Sequence, residues 1–127
     1  MKILRSIDIE DEVRMALSDY LTVYCRPLPQ DYTLPCILVQ QVGGFDTDTI
    51  DNFSVVLDAR ADTEAEALEC LRNAVGILRR IAQLQTTAIR YVEVNSSGSW
   101  GVDPVRPDLA MCSARLSVTA HLEKVEV

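Results

Sequence analysis

The sequence predicts an α+β domain: a mixed, largely antiparallel β-sheet with two helices packed on one face, in the order α-β-β-β-α-β-β. Three stretches carry that expectation. Asp62 to Thr86 repeats apolar residues every third or fourth position, the period of a helix with one buried face. Asn52 to Arg60 and Ala110 to Leu122 alternate instead, the period of strands with one covered face. The whole chain, residues 1–127, reads as one domain.

Taken in order, Asp8 caps a first helix from Ile9 to Leu21, with Ile9, Val13, Ala16, Leu17 and Tyr20 on one side. Glu10, Asp11 and Glu12 fall in its first turn, where the helix dipole favours acids. Val23 to Cys25 is a short strand, closed by a loop that Pro27, Pro29 and Pro35 keep out of regular pairing. Cys36 to Val42 is a strand apolar on both faces in its first half, and Gly43-Gly44 is expected to end it. Phe45 to Asp51 reads as a polar, acidic hairpin connection into the strand Asn52 to Arg60. There Phe53, Val55, Leu57 and Ala59 face one way, and Ser54, Asp58 and Arg60 the other.

The long helix follows. Leu68, Leu71, Val75, Leu78 and Ala82 form one stripe. Ala67, Cys70, Ala74, Ile77, Ile81 and Leu84 form the next, while Glu69, Arg72, Asn73, Arg80 and Gln83 lie opposite. Thr63 with Glu66 fits a capping box. A rod of roughly two dozen residues is about 36 Å long, enough to cover a small sheet. Ile89 to Val94 is the next strand, Asn95 to Asp108 a long irregular stretch, and the alternating strand from Ala110 comes last. The strand before the long helix, the helix and the strand after it form a crossover unit.

Composition narrows the function classes. The chain is 48% hydrophobic, sufficient for a core. Its formal net charge of -7 argues against a protein built to grip phosphate backbones. No apolar run reaches the ~20 residues of a membrane span, and the N-terminal stretch lacks a signal-peptide core, so a cytosolic protein is expected. Cys25, Cys36, Cys70 and Cys112 form no CxxC and are expected to be reduced, mostly buried thiols.

No catalytic constellation stands out. The single histidine, His121, lies at a strand end with no nucleophile assigned to it. Asp46, Asp48 and Asp51 resemble part of a calcium loop but lack its glycine and distal glutamate, and read as a solvated acidic loop. No cofactor or metal is implied. The remaining features look like assembly. Trp100, the only tryptophan, either tucks onto its own core or anchors a partner. Gly76 sits on the polar face of the long helix, where it costs ~1 kcal/mol relative to alanine; it is either tolerated or leaves room for a neighbouring chain. The stretches Gly43 to Asp51 and Asn95 to Asp108 each pair one aromatic with acids. They supply the candidate interface residues Phe45, Asp46, Asp48, Trp100, Asp103 and Arg106, to which Gly76 is added.

In order and spacing the chain resembles the tail terminator (tail completion) proteins of long-tailed bacteriophages. The likeness rests on the N-terminal helix, Leu34-Pro35-Cys36-Ile37-Leu38-Val39 with Gly43-Gly44 after it, and Asp58-Ala59-Arg60-Ala61-Asp62-Thr63. The long helix with Ala67 and Leu71, and the Asp103-Pro104 to Pro107 loop before the final strand, complete it. The resemblance implies a non-enzymatic virion protein assembled in the host cytoplasm. It would form a homohexameric ring that caps the tail tube and meets the head connector. DNA can pass through such a ring without specific binding, and neither membrane nor cofactor is involved. The acidic balance is compatible, since a basic lumen would hold phosphate. The alternatives are another phage neck or tail-tube component of like fold, or a dimeric ligand-binding α/β sandwich joined through the open sheet face.

Overall fold

A computed structural model describes residues 1–47 and 49–127. Its elements are β1 (Lys2–Arg5), α1 (Ile9–Leu17), β2 (Val23–Cys25), β3 (Cys36–Asp46), β4 (Ile50–Ala61), α2 (Glu64–Leu84), β5 (Ile89–Gly101), β6 (Ala110–His121) and β7 (Glu123–Glu126). The described residues form a sheet in the order β2-β3-β4-β6-β5 and a two-stranded ribbon, β1-β7. Among the described residues only β2 and β3 run parallel, and every other pairing is antiparallel. The α+β class, the mixed sheet and the two helices are therefore as the sequence predicts.

Both β4 and β5 run antiparallel to β6, which lies between them, so they are parallel to each other. α2 makes the crossover and packs on β4, β6 and β5, while α1 packs on α2 and β3. The core fills the space between helices and sheet. Ala67, Cys70, Leu71, Ala74, Val75, Leu78 and Ala82 of α2 meet Val55, Leu57, Ala59, Cys112, Leu116 and Val118 of the strands. Both helix starts form as expected: Asp8 Oδ1 accepts from the Asp11 N–H at 3.2 Å, and Thr63 Oγ1 from the Glu66 N–H at 3.2 Å.

Several boundaries differ, each for a local reason. α1 ends at Leu17, not Leu21: the Tyr20 and Leu21 N–H groups both reach the Leu17 carbonyl, which closes the helix in a turn and leaves Tyr20 exposed. Leu68 and Leu84, placed on apolar stripes, lie at the margins of the buried face and are exposed. β3 does not stop at Gly43-Gly44. The glycines adopt φ of +150° and +136°, and the register shifts between Gln41 and Gly43, so the strand continues through a bulge to Asp46. A Cβ on Gly44 would stand 2.2 Å from the Asn52 carbonyl oxygen, so this close approach requires glycine.

The acidic connection shrinks accordingly. Thr47 N–H donates to the Ile50 carbonyl at 2.9 Å, and the Ile50 N–H donates to Thr47 Oγ1 at 3.2 Å, closing the hairpin. The first half of the expected irregular stretch from Asn95 to Asp108 is strand, because β5 runs to Gly101. Three register shifts, at Ile89/Tyr91, Val94/Ser96 and Ser97/Ser99, let a serine-rich edge strand stay paired to β6. The ribbon of β1 and β7 has no counterpart in the sequence reading; each strand is four residues long, too short to register as a period.

Candidate functional site

The helix-free face of the sheet is polar. Register places Asp58 opposite Ser113, Asn52 opposite Thr119 and Ser54 opposite Ser117 across β4 and β6. Asp58 accepts from Gln40 Nε2 at 2.8 Å and from the Ser113 hydroxyl, and Asn52 Nδ2 donates to Thr119 Oγ1 at 3.3 Å. These bonds satisfy the face along its centre.

At the end of the sheet where Cys36, Ala61 and Ala110 lie, two segments cover that face. Arg60 Nε donates to Asp103 Oδ2 at 2.9 Å, and the Tyr32 hydroxyl donates to the same oxygen at 3.2 Å. The Val105 and Arg106 N–H groups bond Asp103 Oδ1 at 2.9 and 3.2 Å. Asp103 is 4% exposed. Burial pushes its carboxyl up, but the Arg60 guanidinium and the two backbone donors outweigh that and hold its pKa at about 2. Asp103, placed by its sequence among interface residues, thus lies inside the chain and fastens the 102–109 segment. Arg106 is exposed, its side chain 3.4 Å from Asp108.

The other expected interface residues lie on the surface at separate places. Phe45 is 70% exposed near the end of β3, with Asp46 beside it also exposed. Asp48 lies outside the described residues. Trp100 stands on β5, not in a loop. Its partner is Cys112, on the helix-covered face, but β5 is the edge strand, so Trp100 is 49% exposed and outside the core cluster. Val102 and Val105, further along the chain, are exposed as well.

Phe45 pairs with Asn52 of β4; Trp100 reaches Ala59 of β4 through Cys112. At ~3.3 Å per strand residue, these two ranks of the sheet lie about 23 Å apart. The structure therefore sets the two exposed aromatics at opposite ends of the sheet. Gly76 is exposed on α2 at a shallow groove with Tyr20, Leu21, Asn73, Ile77 and Arg80, and an added Cβ there meets nothing within 4 Å.

One residue departs from the solvated acidic loop expected of Asp46, Asp48 and Asp51. Asp51 is 2% exposed. His121 is exposed at the end of β6, as its sequence position suggests. Among the described residues, no group of three or more His, Cys, Asp or Glu is placed to hold a metal ion. Cys36, Cys70 and Cys112 are buried and Cys25 half-buried, all as free thiols; burial pushes the Cys36 thiol up to about 11. Among the described residues, no helix is long and apolar enough to cross a membrane.

No protein-family model matches the chain, and no curated protein matches it either.

Proposed function

We propose that this chain is a structural assembly protein of the tail-terminator type, a ring subunit that caps a phage tail tube and joins it to the head connector. The observation that carries the reading is the separation of Phe45 and Trp100 to opposite ends of one sheet. A subunit that meets two partners along an axis needs an anchor at each end, and half- to mostly exposed aromatics are the side chains that supply most energy in such contacts. Ring closure also needs two different lateral surfaces on each subunit. The chain offers β5 at one margin of the sheet. At the other margin is residues 40–46 of β3, beyond the short stretch that β2 covers. The bulges of β5 blunt it against indiscriminate strand pairing, which favours contact through side chains there.

Within this reading the protein performs no catalysis, uses no cofactor, and resides at the head-proximal end of the tail after assembly in the host cytoplasm. The polar outer face of the sheet, hydrogen-bonded within itself along its centre, weighs against the dimeric sandwich, which would have to bury it. Native mass spectrometry of the purified chain, alone and with tail-tube protein, tests the proposal. A hexamer, formed alone or on the tube, is expected. A dimer unaffected by the tube protein, or a monomer under all conditions, overturns it.

A further inference from the structure

An open groove runs along the solvent side of α2. Two hollows, of about 510 and 410 Å³, share Leu21 and Asn73 and so lie end to end between α2 and the turn that follows α1. Tyr20, Leu21, Pro35 and Ile77 give the groove apolar walls, and Tyr20 is 68% exposed. Its charge is polarised. Glu66 and Glu69 line the hollow nearer the start of α2, and Arg80 lines the other. Among the described residues no base lines the first hollow and no acid lines the second. Glu69 has only a loose exposed contact with Arg72, at 3.8 Å, and among the described residues Arg80 makes no ion pair. Between the two charges α2 presents Asn73 and Gly76, both exposed, with open space where a Cβ on Gly76 would stand.

We infer that this groove receives α2 of a second copy of the chain, laid antiparallel to its own. The occupant must be basic where it meets Glu66 and Glu69, acidic where it meets Arg80, and slim in between. α2 itself, reversed, meets all three requirements. Glu69 and Arg80 stand three turns apart, about 16 Å along the helix. A two-fold axis crossing α2 midway between them sets Glu69 opposite Arg80 of the other copy, twice over. The same axis sets Asn73 opposite Gly76 of the other copy, so the helices meet where no large side chain holds their backbones apart. A parallel arrangement would oppose Glu69 to Glu69 and Arg80 to Arg80, which is unfavourable. The charges thus fix direction and register, while covering Tyr20, Leu21 and Ile77 supplies the affinity. Such a contact is isologous, with the same patch on both copies. A six-fold ring contains no two-fold axis of this kind, so the contact lies outside ring closure and does not rest on the tail-terminator reading.

Sedimentation equilibrium of the full-length protein over a concentration series tests it. The wild type is expected to self-associate. Glu69→Arg and Arg80→Glu should each weaken that association at least about tenfold, since both opposed pairs become like-charged. The chain carrying both exchanges should recover to within about threefold of the wild type, because the same pairs re-form with their signs reversed. Gly76→Leu should weaken association at least about tenfold by holding the two backbones apart. Circular dichroism checks that each variant is folded. Glu69→Gln and Arg80→Gln replace the reversals should one unfold, and weaker association is expected in each. A wild type that stays monomeric at every concentration overturns the second copy as occupant. Association unchanged in the single variants, or not recovered in the double one, overturns the contact. A hexamer indifferent to every α2 variant also overturns it and leaves the tail-terminator reading standing. Association that follows the charge exchanges while the chain forms no hexamer, alone or with tail-tube protein, supports the contact and overturns that reading instead.

Discussion

Arg60 and Asp103 stand 43 residues apart in sequence and join at 2.9 Å on the helix-free side of the sheet. One partner projects from the middle strand region of the fold and the other from the segment between β5 and β6. The pair therefore closes the polar end of the sheet much as α2 closes the apolar face, but with charge in place of hydrocarbon.

Removing one member leaves the other buried and unpaired. Asp103→Asn is expected to destabilise the protein by about 3 kcal/mol, more than a surface ion pair would. Because the folded pKa of Asp103, about 2, lies below its ordinary value of 3.8, its contribution is full above the unfolded pKa and is lost as pH falls through the folded one. The shift corresponds to a stabilisation on the order of 2 kcal/mol. Urea unfolding of the wild type should weaken between about pH 5 and pH 2, and Asp103→Asn should flatten that slope. An unchanged slope in the variant would assign the pH dependence to other carboxylates.

The long helix makes a second expectation firm. Leu71 and Leu78 are fully buried against the strands. Truncating either to alanine should cost about 2–5 kcal/mol through lost transfer energy and the cavity left behind. Leu68, though on a sequence stripe, is at the exposed margin, and Leu68→Ala should cost under ~1 kcal/mol. Equal losses at Leu68 and Leu71 in denaturant unfolding would contradict the packing.

Gly44 and Gly43 offer a paired test of the β3 bulge. Gly44→Ala drives a Cβ into the Asn52 backbone, whereas at Gly43 an added Cβ meets nothing and only the backbone conformation resists. Gly44→Ala should therefore be the more destabilising, with conformational strain alone accounting for about 1–3 kcal/mol at either position. Thermal unfolding of the two variants, ranked against each other, checks the order.

These contrasts mark what a sequence can carry. Leu71 and Leu78 are legible because helix periodicity and core burial coincide over many residues. Val55, Leu57 and Leu116 are legible because strand alternation does the same. Gly43-Gly44 misleads: the property that lets glycine end a strand also lets it bulge and continue, and only the approach of Asn52 decides between them. Ser96, Ser97 and Ser99 read as loop because propensity is weak at an edge, where pairing to β6 alone sets the conformation. Asp103 and Asp51 look like two more solvated acids. Their burial arises from contacts with Arg60 and Tyr32 and from the position of β4 against β6, separations that no local pattern encodes.

Gly76 separates a tolerated residue from a contact. It is exposed, with open space around an added Cβ, so Gly76→Ala should stabilise the monomer by about 1 kcal/mol. If α2 lies against a neighbouring subunit there, Gly76→Leu should keep the monomer folded and reduce the ring population in native mass spectra. A Gly76→Leu chain that assembles like the wild type removes this face from the interface.

Trp100 and Phe45 give the most direct test of a two-ended docking role. Each is at least half solvated or nearly so in the monomer, and neither belongs to the core cluster. Truncation to alanine should therefore change unfolding stability by no more than ~1 kcal/mol. The effect should fall on assembly, because a half-exposed aromatic gains most of its burial only when a partner covers it. The two ends are far enough apart, about 23 Å along β4, that one partner's loss should not propagate to the other. Phe45→Ala and Trp100→Ala are thus expected to impair different contacts, and their combined effect on ring formation and tube capping should be additive. Neutralising Asp46 should change the salt dependence of the Phe45 contact more than its extent, since an exposed rim charge steers encounter and is screened. Tryptophan emission supplies the independent readout. In the isolated monomer, red-shifted emission open to a soluble quencher is expected, moving to the blue and becoming protected on assembly. Emission already blue-shifted and protected in the monomer would place Trp100 against its own core and end its docking role.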